Sequence, residues 1–416
     1  AEVPVGDLPL VGRDDEVRTI RELYEDAVAT EKTIFAVFTG ELGVGKTALL
    51  GAALGTLDEP EPRILRTECT FGSSDVPFAA VADLVRDAAN ISDEASADEA
   101  GSALEKLLQA HLPAEAARTA WEGLSPLVGV ANEGGEGDLR TVTRGLELLV
   151  AGLTQRRPVV IWIDNMQWGD TPSLELLGGM RQRSYETPCL VLMSTRPEAR
   201  LEPLMRGMPQ IEVDALDDEG TRALVEQRFE ASVPDDVVQA IMTRASGNPF
   251  FVNELVDALI ERGAVEVADR GDERRVLRRP GVPIQLPTTL EGVVAARLDE
   301  LDETERHAIR WLSVAGRGLR EGELSQLAGV ELTDAVHGLI GRGLVHERSG
   351  GVLDFSSAVV RQVSYEGADI DDRIRMHRRI AQHLRDGQRP AAPGRIARHL
   401  EQAGERAAAA PAHIEA

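Results

Sequence analysis

The sequence predicts an α/β fold: a parallel, doubly wound sheet over its first half, followed by a helical and then mixed C-terminal half. Three observations carry this. Short apolar runs that read as buried strands (residues 33–38, 159–163 and 189–194) alternate with segments of helical spacing as far as about Asp214. Beyond Leu216 the spacing is helical almost throughout. Finally, 416 residues with 43% hydrophobic, 28% charged and only 4% aromatic side chains suit a globular chain of several domains.

A helix is expected from about residue 15 to 29, where Val17, Ile20, Leu23, Tyr24 and Ala27 recur at helical spacing. The β-branched and aromatic run at 33–38 ends at Thr39-Gly40, and a helix opens near Lys46. Strand, glycine loop and helix in that order make the first half of a βαβ unit. Residues 64–69 read as a second strand. The Ala- and Leu-rich stretch 75–125 reads as several helices, with Asp75 and Ser92 as caps, and the Gly-rich segment 131–138 as a polar loop. A helix is expected over 139–153. Residues 159–163, after Pro158, give the strongest strand pattern of the chain, and 189–194 another.

Residues 217–265 are helical with an interruption at Ser246-Gly247-Asn248-Pro249, and the charged stretch 266–283 is a hairpin or a linker. From Thr288 three helices and two short strands, 344–347 and 352–355, outline a winged helix. The tail from about Asp371 is helical, ends in an Ala-rich segment and reads as the first unit of a helical array.

Composition removes several function classes. With 45 Lys and Arg against 70 Asp and Glu, the net charge is −25, which opposes non-specific binding to nucleic acid or anionic lipid. The two cysteines, Cys69 and Cys189, form no disulfide framework or cysteine zinc site and suit a reducing, cytoplasmic setting. No run approaches 18 apolar residues, so no membrane helix is expected. The acidic start at Ala1 lacks a basic-then-apolar leader, and without a Met it suits a piece of a longer protein. The C-terminal histidines form no HxxxH or HExxH pair, and no G-x-S-x-G elbow occurs, so neither a metal centre nor a serine hydrolase is expected.

The chemistry concentrates in four places. Gly40-Glu41-Leu42-Gly43-Val44-Gly45-Lys46-Thr47 matches G-x-x-x-x-G-K-[ST], the phosphate-binding P-loop. Its glycines Gly40, Gly43 and Gly45 let backbone N–H groups curl around a phosphate at the positive end of the following helix, with Val44 and Ala48 completing the loop. Lys46 would reach the β- and γ-phosphates, and the Thr47 hydroxyl would ligate Mg²⁺. Asp164 ends a buried parallel strand, which places an acid beside the loop to hold the Mg²⁺ shell through water. Asn165 follows, where many P-loop ATPases carry the acid that orients the attacking water. An amide is a poor proton acceptor, so slow hydrolysis is expected unless Asp170 or Glu41 substitutes. Arg196, at the end of the next strand, could pair with a γ-phosphate. Asn248 and Pro249 read as an N-cap and a first-turn proline, and Pro249 could also pack on a base.

Together these motifs resemble the signal-transducing STAND NTPases, relatives of the AAA+ ATPases, and in particular the ATPase module of the large ATP-binding LuxR-type bacterial transcriptional regulators. Leu10-Val11-Gly12-Arg13-Asp14-Asp15-Glu16 resembles the motif that opens that module, in which the positions of Gly12 and Arg13 flank the adenine. Ile161-Trp162-Ile163-Asp164-Asn165-Met166-Gln167-Trp168-Gly169-Asp170 resembles its Walker B region, Ser194-Thr195-Arg196-Pro197 its sensor strand, and Gly247-Asn248-Pro249-Phe250-Phe251 its Gly-Asn-Pro motif, which favours the base contact of Pro249.

The resemblance implies a P-loop domain over 1–215, a helical lid over 216–285, a winged helix over 286–370 and the start of a TPR-like helical array over 371–416. It implies ATP or ADP with Mg²⁺ as ligands, self-association on activation, and DNA contact only through a separate domain absent from this chain. Ser357 stands where the family usually has a His that contacts the ADP β-phosphate, so a weaker resting lock is expected. The expected function is an ATP/ADP-operated switch in a transcriptional regulator, with weak ATP hydrolysis. The alternatives are an AAA+-type motor, which Asn165 argues against, and a winged-helix DNA-binding ATPase. The latter's recognition helix, at about 332–342, offers Arg342 and His337 beside Asp334 but no basic stripe.

Overall fold

The structure, a computed structural model, describes residues 10–70, 74, 76–92, 95–130, 138–183, 186–270, 273–279, 289–316, 318–348, 351–386 and 393–405. The first half runs α1 (Asp14–Thr30), β1 (Thr33–Thr39), α2 (Lys46–Leu54), β2 (Arg63–Glu68), α3 (Ala79–Ala88), α4 (Ala97–His111), α5 (Ala114–Leu124), α6 (Leu139–Thr154), β3 (Val159–Asp164), α7 (Thr171–Gln182), β4 (Cys189–Thr195), α8 (Glu202–Met205) and β5 (Gln210–Glu212). The second half runs α9 (Asp218–Phe229), α10 (Asp235–Ala245), α11 (Pro249–Glu261), β6 (Val265–Arg270), β7 (Glu273–Arg278), α12 (Leu290–Asp299), α13 (Glu303–Ala315), β8 (Leu319–Arg320), α14 (Glu321–Ala328), α15 (Thr333–Gly341), β9 (Val345–Arg348), β10 (Val352–Phe355), α16 (Ala358–Glu366), α17 (Ile370–Asp386) and α18 (Pro393–Gln402).

The apolar strands of the first half pair in parallel, in the order β2-β3-β4-β1-β5. Because side chains alternate along a strand, a sheet covered on both faces needs strands that are apolar throughout. In β3, Val159, Ile161 and Ile163 face the core built with α3–α7, while Val160 and Trp162 face α1 and α2. Strand β5 escaped the sequence reading: its three residues are exposed or half-buried at the sheet edge, so it shows no apolar run.

Local chemistry relocates some expected helix starts. Helix α4 begins at Ala97, not after Ser92, because Ser96 and Glu99 form a capping box: the Glu99 N–H donates to Ser96 Oγ at 3.3 Å and the Ser96 N–H to Glu99 Oε2 at 2.8 Å. Asp75 and residues 131–137 of the expected cap and loop lie outside the described residues, as does the Ala-rich end from 406. Asp138 caps α6, accepting from the Thr141 N–H at 2.8 Å.

The charged stretch after α11 is a hairpin over its described residues, β6 pairing antiparallel with β7. Helices α9–α11 bury their own core, from Val225 to Leu259, with Val265 and Val276 of the hairpin. From Leu290 there are four helices, not three, before the paired strands. The extra break is a second capping box, Asp302 with Glu305, which starts α13. The two-residue strand β8 joins the expected hairpin in the order β8-β10-β9. Met376, Ile380 and Leu384 of α17 pack into the same core as α13–α16, so the first tail helix is continuous with the preceding unit.

One buried ion pair ties these parts together. An Arg297 Nη1 on α12 donates to both carboxylate oxygens of Glu254 on α11, at 2.9 Å each, and its Nη2 donates to the carbonyl of Arg342 after α15. Their side chains are 10% and 7% exposed, so removing either partner strands a charge in the interior. Arg297→Ala is expected to lower stability by about 3–5 kcal/mol in equilibrium urea unfolding, whereas Arg297→Met combined with Glu254→Leu keeps most of it.

Candidate functional site

The candidate site lies at the carboxyl ends of β1, β3 and β4. Strand β1 stops at Thr39 and the chain enters the glycine loop. A side chain at Gly40 would meet the Val213 carbonyl at 2.5 Å, and Gly43 and Gly45 have φ of +81° and +93°. The loop therefore needs glycine at these places, and it delivers the chain into α2 with Gly45 as N-cap. Lys46 is the first residue of that helix and is buried. Its Nζ donates to the carbonyls of Gly40 at 2.7 Å and Glu41 at 3.0 Å. Burial lowers its pKa to about 8, with Asp164 and Glu41 opposing the shift and Arg196 adding to it.

Asp164 has no exposed surface. Its Oδ2 accepts from the Thr47 hydroxyl at 2.7 Å, and its Oδ1 accepts from the Ser194 hydroxyl and from the Asn165 N–H at 3.1 Å. Burial pushes its pKa up, Glu68 adds to the rise, and the Ser194 and Thr47 hydroxyls resist it. A hydroxyl and a carboxylate side by side at the loop are oxygen donors of the kind a hydrated Mg²⁺ takes, so Thr47 and Asp164 fit that ion.

Asn165 turns the chain away from β3 in the left-handed region, with φ of 57°, which asparagine tolerates better than most residues. Its side chain bridges two neighbours: Gln167 Nε2 donates to its Oδ1 at 3.1 Å, and its Nδ2 donates to Glu68 Oε1 at 3.4 Å. Gln167 Oε1 in turn accepts from the Arg196 N–H at 3.2 Å, so β3 and β4 are stitched together beyond their ends. The guanidinium of Arg196 is half-buried and within electrostatic reach of Lys46 and Glu41.

Asp170 is spent on structure. Its Oδ1 accepts from the N–H groups of Ser173 at 2.9 Å and Phe78 at 2.8 Å, and its Oδ2 from that of Ala80 at 3.3 Å. It caps α7 and holds Phe78, which has φ of 57°, at the start of α3. It is thus no substitute for the acid expected at position 165.

The remaining expected residues surround the loop from other elements. Gly12, with φ of +65°, leads into α1. Arg13 is buried, and its guanidinium donates to the carbonyls of Val44, at 3.1 Å, and Asp214 and pairs with Glu16 at 3.0 Å. Asn248 caps α11, with Pro249 at its first position, and donates through Nδ2 to the Leu42 carbonyl at 2.8 Å. The Phe250 N–H donates to the Gly43 carbonyl at 3.2 Å. Leu42 and Phe250 pack against the C-terminal core. The Ser357 hydroxyl accepts from the Val359 N–H at 3.1 Å and caps α16; among the described residues no hydrogen bond joins it to the loop. Thr47 and Ala48 remain exposed at the head of α2. Ser194, expected only as part of the sensor strand, gives its hydroxyl to Asp164, and Glu68, the residue beside Asp164 on the adjacent strand, escaped the sequence reading.

Residues 9–192 match the family described as AAA ATPase domain. The match covers less than half of the chain, and the stretch it covers contains the glycine loop and Asp164. Residues 217–272, just after it, match a family described only as a domain of unknown function. An uncharacterized protein of Rhizobium meliloti is 22% identical over 436 residues, which covers 98% of this chain and 40% of the relative. The chain superposes on a STAND protein (Signal Transduction ATPase with Numerous Domains) with a tetratricopeptide repeat sensor from Pyrococcus horikoshii. The TM-score is 0.58 at 17% identity, covering 97% of this chain and 49% of that one. The architecture is thus AAA/STAND-like, a five-stranded parallel sheet with a largely helical C-terminal region. The chain spans less than half the length of these two proteins. Among the described residues, no helix is long and apolar enough to cross a membrane, and no three His, Cys, Asp or Glu side chains gather as a metal site.

Two outcomes are expected of the sheet domain. Asp170→Ala leaves three backbone N–H groups without their acceptor and costs on the order of 2–4 kcal/mol in thermal or urea unfolding, while nucleotide affinity at the native temperature changes little. Affinity for nucleotide falls as pH rises past about 8, because an anionic phosphate favours the ammonium form of Lys46. Below that pH the affinity is flat, and calorimetric titration from about pH 7 to about pH 9 reads the bend.

Proposed function

We propose that this chain is an ATP/ADP-operated regulatory switch module with slow ATP hydrolysis, a part of a bacterial transcriptional regulator. The observation that carries the proposal is the set of partners that hold the glycine loop. Three successive carbonyls, of Leu42, Gly43 and Val44, accept hydrogen bonds from Asn248, Phe250 and Arg13, and the Leu42 side chain packs on the C-terminal core. A loop suited to wrap phosphates is therefore also a place where the helical unit after residue 216 and the C-terminal unit touch the sheet domain. A ligand shifts a conformational equilibrium only through contacts that differ between the two states. Lys46, Thr47 and Arg196 are the groups a γ-phosphate would meet, and movement of the loop on gaining or losing it would act on both neighbouring units directly.

In this reading Lys46 exchanges its carbonyl acceptors for phosphate oxygens, and the N–H groups of Gly43 to Ala48 line the phosphates. A Mg²⁺ held by the Thr47 hydroxyl, and by Asp164 through water, would offset the charge of the β- and γ-phosphates. The guanidinium of Arg13 is occupied by backbone carbonyls, so base contact falls to the Gly12 backbone and to Pro249. Ser357 caps its own helix, which supports a resting state without the charged phosphate contact of the family's histidine. The division into units ending near 215, 285 and 370 is supported by the separate cores, with α17 attached to the third.

The regulator assignment rests on the order of motifs that resembles the LuxR-type module, and it leaves DNA contact to another part of the protein. The helix α15 gives little support to DNA reading here, since Arg342 at its end is drawn to Glu305 at 3.1 Å. Self-association on activation belongs to the same proposal.

Two measurements test it. Lys46→Ala, lacking the lysine of the P-loop, is expected to weaken nucleotide binding at least about 100-fold by calorimetry. Retained affinity would remove the site assignment. Small-angle scattering or limited proteolysis with ADP and with a slowly hydrolysed ATP analogue is expected to give two distinct states. Identical patterns at saturating ligand would overturn the switch.

A further inference from the structure

Asn165 leaves the site without an acid at the position after Asp164, Asp170 is consumed by caps, and Glu41 is exposed on the loop. Among the described residues another carboxylate stands beside the buried aspartate. Strands β2 and β3 are parallel and in register, with Glu68 directly opposite Asp164. Alternation puts Ile64, Arg66 and Glu68 on the sheet face of Trp162 and Asp164, the face covered by α2 and its glycine loop. Ile64 packs in that core, and the Arg66 guanidinium lies 4.1 Å from the centre of the Trp162 ring. Glu68 reaches round to the Asn165 side chain at 3.4 Å, so it stands next to the amide that occupies the usual place of the acid.

The second oxygen of Glu68 is held from elsewhere. Arg348, at the end of β9, donates to Glu68 Oε2 at 2.8 Å and also pairs with Asp354 Oδ2 of β10 at 2.8 Å. Arg361 of α16 pairs with the other Asp354 oxygen at 2.7 Å. The β9–β10 hairpin thus places a cation against the acid opposite Asp164 in the register, 280 residues away in sequence. Glu68 is 25% exposed and Arg348 45%, so both can rotate without unpacking a core.

We propose that Glu68 is the acid that orients and deprotonates the attacking water in ATP hydrolysis, and that Arg348 latches it out of that role. The proposal rests on the reading of the loop as an ATP site. In the step, the water oxygen bonds to the γ-phosphorus as the bond from that phosphorus to the β–γ bridging oxygen breaks. The water proton passes to the Glu68 carboxylate and then to solvent, leaving ADP and inorganic phosphate. While Arg348 holds Oε2 and Asn165 holds Oε1, both carboxylate oxygens are occupied and the side chain is not free to reach a water. Movement of the hairpin frees it, so hydrolysis would report where the C-terminal unit sits. The latch also explains why a switch can keep a competent acid and still hydrolyse slowly.

The test uses the whole chain with Mg²⁺ and ATP, and measures single-turnover hydrolysis and nucleotide affinity separately. Arg348→Ala is expected to raise the rate about tenfold or more, with Arg348→Lys intermediate. Glu68→Gln in either background is expected to lower it about 100-fold with affinity unchanged, and Glu68→Asp to restore part of the loss. Unchanged hydrolysis in Glu68→Gln, or no gain in Arg348→Ala with the nucleotide bound, overturns the proposal. Failure of the unmodified chain to bind ATP at all overturns the underlying reading instead. Affinity measured beside each rate, and the circular dichroism of each variant, separate these outcomes from misfolding.

Discussion

Asp164 carries a carboxylate into a place that solvent does not reach, and the arrangement around it follows from the cost of doing so. An ionised carboxylate without solvent needs donors on every side. Here they come from three elements: the Thr47 hydroxyl of α2, the Ser194 hydroxyl of β4 and the Asn165 N–H at the end of β3. Each donor fixes the position of its own element against the others. The helix after the glycine loop, the central strand and its neighbour are thereby set relative to one another at the point where chemistry is expected; burial and Glu68 still push the pKa of Asp164 up against these donors. A cation at the same place would offset that charge.

The loop beside Asp164 has a second function in the architecture. Its three glycines bring no side chains, so besides the packed Leu42 and Val44 it is held by its own carbonyls, and three of these are taken by residues far away in sequence: Arg13, Asn248 and Phe250. Lys46 takes two more. In the proposed switch, a loop held by five carbonyl contacts, two of them from the lysine that would meet phosphate, has two alternative sets of partners. The buried Arg297–Glu254 pair links α11 to α12 and to the end of α15. The Arg348–Glu68 contact returns along another route, from the C-terminal hairpin to the strand beside Asp164. The sheet domain and the C-terminal unit thus meet at two ends of one site.

Some misreadings of the sequence share a cause. Asp170 looks like a spare acid because a carboxylate near a motif invites a chemical role; three backbone N–H groups that converge on it from α7 and from the start of α3 claim it first, and two of them lie some ninety residues upstream. Ser92 looks like a cap by residue type, but Ser96 has a glutamate three residues on and so makes a reciprocal box. Strand β5 is invisible because its partner supplies the hydrogen bonds while its own side chains stay at the surface.

What the sequence by itself determined was everything that depends on local covalent chemistry and period. The continuous apolar strands demanded a sheet buried on both faces, the spacing of Gly40, Gly43, Gly45, Lys46 and Thr47 demanded a phosphate-type loop, and an acid at the end of the strongest strand, Asp164, marked the neighbour of that loop. Only the tertiary structure decided what sits beside what. Strand order placed β2 next to β3 and so brought Glu68 to Asp164, though 96 positions separate them, and docking of the C-terminal hairpin brought Arg348 to Glu68. Register and docking arise from contacts between segments distant in the chain, and a period of two or of 3.6 residues carries no information about its partner.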